Sequence, residues 1–260
     1  MSGKFRVLSL DLGETTIWDT KEIGAAGYAI RVRVLTRAFV GSDGTLLPEE
    51  EVARVRDGLL SEWKREGRFA RCFTIRHQIE EIMRRLHARV AKPIEELAEE
   101  YSRAGLREHP PYINPEAQEL VKELNGAAFP VIAISNTART SRTWKSFFEE
   151  VGGMRFDHVV SSTDLGTCKP DSRMFLEASR LTGVEPSKIL HVGDRMNTDV
   201  EGALKCGMGA ALYCGLWPRY YDMAEGPAVR PPKGSPIPCF DNLREVRKLL
   251  ELPRVQRPKA

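Results

Sequence analysis

Long apolar runs are missing from this chain. The longest are strand-sized, such as Val131-Ile132-Ala133-Ile134, far short of the ~20 residues that cross a bilayer, so no membrane-spanning segment is expected. An excess of one charge is missing as well: 39 basic and 36 acidic side chains leave a formal +3. Disorder couples low hydrophobicity to high net charge, and a nucleic-acid binder carries a strong basic excess. With 42% hydrophobic residues and near balance, neither a disordered chain nor a nucleic-acid partner is expected. No C-x-x-C pair occurs among Cys72, Cys168, Cys206, Cys214 and Cys239. An odd, scattered set predicts reduced thiols in a cytoplasmic protein. The first twelve residues lack a full apolar region and a cleavage site, so no signal peptide is expected. Histidine is scarce. His77 and His87 lie ten apart and do not share a helix face, and His191 reads as structural, so no histidine metal site is predicted. Internal repeats are also absent.

What is present is a 260-residue chain long enough for one large domain or two unequal ones. Phe5 to Leu10 is a strand-length apolar run ending at Asp11. Residues from roughly 48 to 104 change to a helical period: Pro48 and Glu49 to Glu51 open one helix with Val52, Val55, Leu59 and Trp63 on a face. Ile79, Ile82, Met83, Leu86 and Val90 line a second, and Ile94, Leu97 and Tyr101 a third, with Gly105 past its end. Tyr28 to Phe39 fits either a strand or a helix. Beyond Pro110 and Pro111, strands and helices alternate. Helices are expected at about 115–125, 141–151, 172–182 and 199–206, and strands at 131–134, 158–160, 189–192 and 210–213. Residues 216–238 read as loop, a last helix follows Asp241 or Asn242, and the tail after Pro253 is expected to be disordered. This alternation predicts a doubly wound parallel α/β sheet.

In such a sheet ligands bind beyond the carboxyl ends of the strands. Three apolar strands deliver Asp11, Ser135 with Asn136, and Gly193 with Asp194 to that end. Asp11 and Asp194 suit a hard cation such as Mg²⁺. Lys169 in a loop and the Ser135 hydroxyl suit phosphoryl oxygens, so the set fits in-line phosphoryl transfer with a carboxylate nucleophile.

Four motifs stand in order: Asp11-Leu12-Gly13-Glu14-Thr15, Ile134-Ser135-Asn136, Lys169-Pro170-Asp171, and Gly193-Asp194 with Asp199. Together they resemble the haloacid dehalogenase-like (HAD) hydrolase superfamily. The resemblance implies a Rossmann-like core over 1–20 and 110–260, with an inserted helical cap over 21–109. It implies that Asp11 is the nucleophile and that Mg²⁺ is held by Asp11, Asp194 and the Gly13 carbonyl. Ser135, Asn136 and Lys169 would bind the phosphoryl group, and Asp199 would support the metal site or the lysine. The substrate implied is a small phosphorylated metabolite. The stretch 45–110 balances thirteen basic against thirteen acidic side chains, so the cap offers no nucleic-acid surface.

One departure stands out. The family's phosphatases carry a second aspartate two residues after the nucleophile, as general acid and base; here that position is Gly13, and Glu14 beside it is the carboxylate that could take over. Relatives that cleave carbon–halogen or phosphonate bonds also lack this acid, and a core without it could persist as a binding module. An intact Gly193-Asp194 favours the metal-dependent reaction at phosphorus.

Overall fold

The structure, a computed structural model, describes residues 4–215, 231 and 234–252. The tail after Pro253 and most of the 216–238 stretch lie outside the described residues. Ten strands are described: β1 (Val7–Leu10), β2 (Ile17–Trp18), β3 (Phe39–Val40), β4 (Arg89–Val90), β5 (Tyr112–Ile113), β6 (Val131–Ser135), β7 (His158–Ser161), β8 (Ile189–Gly193), β9 (Gly209–Tyr213) and β10 (Cys239–Phe240). Six of them form one parallel sheet in the order β10-β9-β8-β1-β6-β7. β1 lies inside the sheet, flanked by β6 and β8, and all four of its residues are buried. Alternate residues feed opposite faces. Leu8, Leu10, Val131 and Ala133 pack with Leu120 and Leu124 of α5 (Pro115–Gly126) and Trp144 and Phe147 of α6 (Ser141–Phe147). Val7, Ile132 and Ile134 pack with Met174, Phe175 and Ala178 of α8 (Ser172–Thr182) and Ala203 of α9 (Glu201–Lys205). Helices on both faces make this the doubly wound α/β fold expected.

Between β2 and β5 the chain is mostly helical: α1 (Lys21–Ala38), α2 (Glu49–Arg65), α3 (Ile75–Leu86) and α4 (Ile94–Arg103). These helices share a core of their own around Leu35, Phe39, Val52, Leu59, Trp63, Ile79, Ile82 and Leu97. The ambiguous stretch Tyr28 to Phe39 is helix as far as Ala38. Of the helically spaced Tyr28, Val32, Leu35 and Phe39, the last three are buried and Tyr28 is half-buried, whereas of the alternating Ile30, Val32 and Val34 only Val32 is buried. The helix expected to reach Val90 stops earlier. His87 adopts a left-handed backbone at φ 50°, and Val90 pairs instead with Phe39 in an antiparallel β3–β4 ribbon. Gly105, at φ 76°, ends the turn after α4. A Cβ there would sit 2.7 Å from the Cα of Gly27, so two glycines let this turn touch α1. The chain leaves the sheet through β2 and returns through β5, which pair antiparallel with Ile17 opposite Ile113.

The expectation of reduced thiols is overturned. Cys72 is bonded to Cys168 and Cys214 to Cys239, leaving Cys206 free. The pairs are 96 and 25 residues apart in sequence, and such pairing is created by the fold and invisible as spacing. A cytoplasmic location loses the support it drew from unpaired thiols. No described helix is long and apolar enough to cross a membrane.

Candidate active site

Register brings the four motifs together. Leu10 lies opposite Ala133 on one side and Val192 on the other, so the residues just beyond these positions meet at one edge. Asp11 is fixed there by its own N–H, which donates to the Val192 carbonyl at 2.8 Å. Lys169 occupies the centre. Its Nζ donates to Asp11 Oδ1 at 2.6 Å and to the Ile134 carbonyl at 2.7 Å, and pairs with Asp199 Oδ1 at 2.6 Å. An ammonium has three N–H donors, so these three acceptors use all of them. Asp11, Lys169, Ser135 and Asp199 are all buried.

Asn136, expected among the phosphate-binding groups, has both ends of its side chain bonded to Lys169. Its Nδ2 donates to the Lys169 carbonyl at 3.0 Å and its Oδ1 accepts the Lys169 N–H at 2.7 Å. Asn136 therefore clamps the backbone that carries the lysine. Asp171 has a similar task, capping α8 by accepting the Arg173 N–H at 2.9 Å. Ser135 is the last residue of β6 and follows Ile134, whose carbonyl accepts from Lys169.

Three carboxylates share the pocket. One oxygen each from Asp11, Asp194 and Asp199 fall within 4.8 Å of one another. Burial raises the Asp11 pKa, with the charge of Lys169 opposing and that of Asp199 adding. Burial, then Asp11 and Asp199, push Asp194 up to about 8. Asp199 goes the other way. Burial opposes its ionisation, but Lys169 and a bond from His191 hold its carboxyl well below the usual range. The Asp199 oxygens are committed: Oδ1 to Lys169 and His191, Oδ2 to the Arg195 N–H at 3.0 Å. By contrast, Asp194 Oδ1 is buried without a hydrogen-bond partner. An orphaned carboxylate oxygen beside a second carboxylate fits a divalent cation that prefers oxygen ligands.

Two glycines shape the site. A Cβ at Gly193 would lie 2.4 Å from Asp199 Cγ, so only glycine lets that carboxylate reach Lys169. At Gly13 a Cβ would meet nothing within 4 Å, so the place of the family's missing aspartate is open. Glu14 takes a left-handed backbone, φ 58°, a conformation that favours glycine, and its N–H donates to the Ile17 carbonyl at 2.8 Å.

A haloacid dehalogenase-like hydrolase family model matches residues 10–207, which spans all four motifs. The chain belongs to the haloacid dehalogenase-like hydrolase family. Among its relatives, the glyceraldehyde 3-phosphate phosphatase of Methanothermobacter thermautotrophicus is 33% identical over 98 residues, 38% of this chain and 43% of that protein. The chain spans less than half the length of the curated relatives it matches. Two solved structures share the fold over nearly the whole chain. A HAD phosphatase from Thermococcus onnurineus superposes with TM-score 0.55 at 20% identity, covering 96% of this chain and 100% of that one. A 2-haloacid dehalogenase from Pseudomonas syringae pv. Tomato does so with TM-score 0.53 at 23% identity, covering 94% and 97%.

His191, expected to be structural, is fully buried, with its ring between Ser9 and Asp199; the sequence did not point to these two contacts. The available signal was its place on β8, three residues before Asp194, facing the Asp11 strand.

Proposed function

We propose that this hydrolase is a Mg²⁺-dependent phosphatase of a small phosphorylated metabolite, working through an aspartyl-phosphate on Asp11. The observation that carries the reading is the Asp11 carboxylate held on Lys169 beside the orphaned Asp194 oxygen. An Asp11 oxygen attacks phosphorus in line, the bond from phosphorus to the alkoxy oxygen breaks, and water later releases phosphate from the acyl-phosphate. Ser135 holds a phosphoryl oxygen, and Lys169, whose three donors are taken, keeps Asp11 in register and sets its positive charge beside the phosphoryl group. Asp11, Asp194 and the Gly13 carbonyl would hold Mg²⁺, which when bound offsets negative charge on the transferring group. Residues 21–109 form the cap in this reading, over a core of 1–20 and 110–260. Their separate apolar core and the β2–β5 crossing support that division. The name of the archaeal relative supports a phosphorylated metabolite as substrate.

The test is hydrolysis of p-nitrophenyl phosphate with Mg²⁺ and with EDTA. Turnover is expected with the metal and lost with the chelator. Thermal stabilisation by Mg²⁺ should also grow as pH rises from 6 to 8. A proton on Asp194, favoured up to about pH 8 by burial and by Asp11, competes with the ion. Metal-independent turnover would refute this reading.

Gly13 favours a second reading, in which the leaving group needs no proton, as in cleavage of a 2-haloacid. Turnover of a chlorinated acid in EDTA would establish it. The phosphatase reading makes its own prediction here. Because the space at Gly13 is open, Gly13→Asp should restore the general acid. Hydrolysis of an alkyl phosphate, a poor leaving group, should rise by about tenfold or more, while p-nitrophenyl phosphate changes far less. Equal effects on both substrates would count against it.

A further inference from the structure

A line of buried polar groups continues behind Lys169. Ser9 Oγ lies 2.9 Å from His191 Nδ1, and His191 Nε2 lies 3.4 Å from Asp199 Oδ1. That same oxygen is 2.6 Å from Lys169 Nζ, which is 2.6 Å from Asp11 Oδ1. Ser9 and His191 are register partners on β1 and β8, both with no exposed surface, and the His191 and Phe175 rings stand nearly perpendicular with centroids 5.4 Å apart.

The donors in this line follow from chemistry. An ionised carboxylate only accepts, so the ring nitrogen facing Asp199 must carry the hydrogen. Nδ1 is then a bare acceptor, and the Ser9 hydroxyl donates to it. A doubly protonated ring would put a second cation beside Lys169 away from water. Burial and the Lys169 charge both hold the ring's pKa below its ordinary value.

We infer that His191 is a positioning residue: as the neutral Nε2–H tautomer anchored by Ser9, it fixes Asp199 Oδ1 and so keeps the Lys169 ammonium on Asp11. Lys169 has no spare donor, and its place is set by its three acceptors. Two of these, Asp11 and the Ile134 carbonyl, belong to strand ends. The third is a side chain on a π turn, Met196–Val200, and needs fixing from outside. The Arg195 N–H fixes one of its oxygens and His191 fixes the other.

Only the kinetic part of the test rests on the phosphatase reading. In protein labelled with ¹⁵N-histidine at pH 7, His191 should show the neutral Nε2–H pattern, and its Nε2 resonance should move in Lys169→Met. An Nδ1–H or charged ring, or a resonance blind to Lys169→Met, would overturn the proposal. This holds even if the protein hydrolyses no phosphate ester, a result that would sink the phosphatase reading instead. With p-nitrophenyl phosphate, His191→Leu should lower kcat by about tenfold with KM nearly unchanged. His191→Gln, whose amide N–H can sit where Nε2–H sits, should recover most of that loss, and Ser9→Ala should cost about threefold. A folded His191→Leu protein with the wild-type kcat, or a Gln variant no better than Leu, would also overturn it.

Discussion

Asp11→Asn is expected to lower turnover of p-nitrophenyl phosphate by at least about 10³-fold, because it removes the attacking carboxylate and leaves an amide that cannot form the acyl-phosphate. The fold should not suffer. Asn keeps the shape of the side chain, and the Asp11 N–H to Val192 bond is unaffected. Burial raises the Asp11 pKa, with Asp199 adding to it. A carboxyl whose folded pKa lies above its unfolded value favours the protonated fold, so its ionised form costs stability as pH rises past the unfolded value. At pH 7 without metal, a group that cannot ionise removes that cost. Lys169 keeps Asp199 as its counter-charge. In EDTA the variant should therefore melt no lower than the wild type, as followed by circular dichroism. Activity within tenfold of wild type would remove Asp11 from the reaction. A large drop in melting temperature would mean that its loss acts through folding.

The convergence behind this prediction was readable from strand ends. A buried parallel strand shows as an unbroken apolar run, and the first polar residue after it falls at the ligand edge. Asp11, Ser135 and Asp194 were found that way, and Lys169 followed from its motif. What pattern could not supply was how side chains share partners. The side chain of Asn136 bonds the Lys169 backbone at both ends, a pairing that no spacing announces. Asp199 was expected to begin a helix. It sits instead in a π turn, whose i→i+5 spacing carries no 3.6-residue signature. The same applies to Phe148–Gly152, where a helix expected to run to 151 changes pitch. Tyr28 to Phe39 stayed open because β-branched residues and arginines alternate there as in a strand. Burial of Leu35 and Phe39 against Leu59 and Trp63, a tertiary fact, decided for helix.

The disulfides were the least readable feature, and they yield the second large effect. Opening the Cys72–Cys168 bond with dithiothreitol, or removing it as Cys72→Ser, is expected to lower unfolding stability by about 2–4 kcal/mol, since the bond closes a 96-residue loop and loop-closure entropy grows with length. For a chain of this size that is a fall of roughly 5–15 °C in melting temperature. Catalysis should respond much less, even though Cys168 immediately precedes Lys169. Around the bond, the Arg71 carbonyl accepts the Ser162 hydroxyl at 2.6 Å, and the Phe73 carbonyl accepts the Thr163 hydroxyl at 3.0 Å. These contacts dock the helical segment on α7 (Ser162–Leu165) without the sulfurs. Lys169 itself is held from the other side, by Asn136 on its backbone and by three acceptors on its ammonium. Melting in the presence and absence of reductant, read beside kcat on p-nitrophenyl phosphate at 25 °C, separates the two roles. A fall in melting temperature with kcat within about threefold fits a cross-link that limits the unfolded chain. A kcat collapse in a protein that still melts high would mean the bond aims the lysine. The Cys214→Ser variant is the control. Its bond joins the residue just past β9 to β10, at the far edge of the sheet from β6, and closes only 25 residues, so it should lower the melting temperature less.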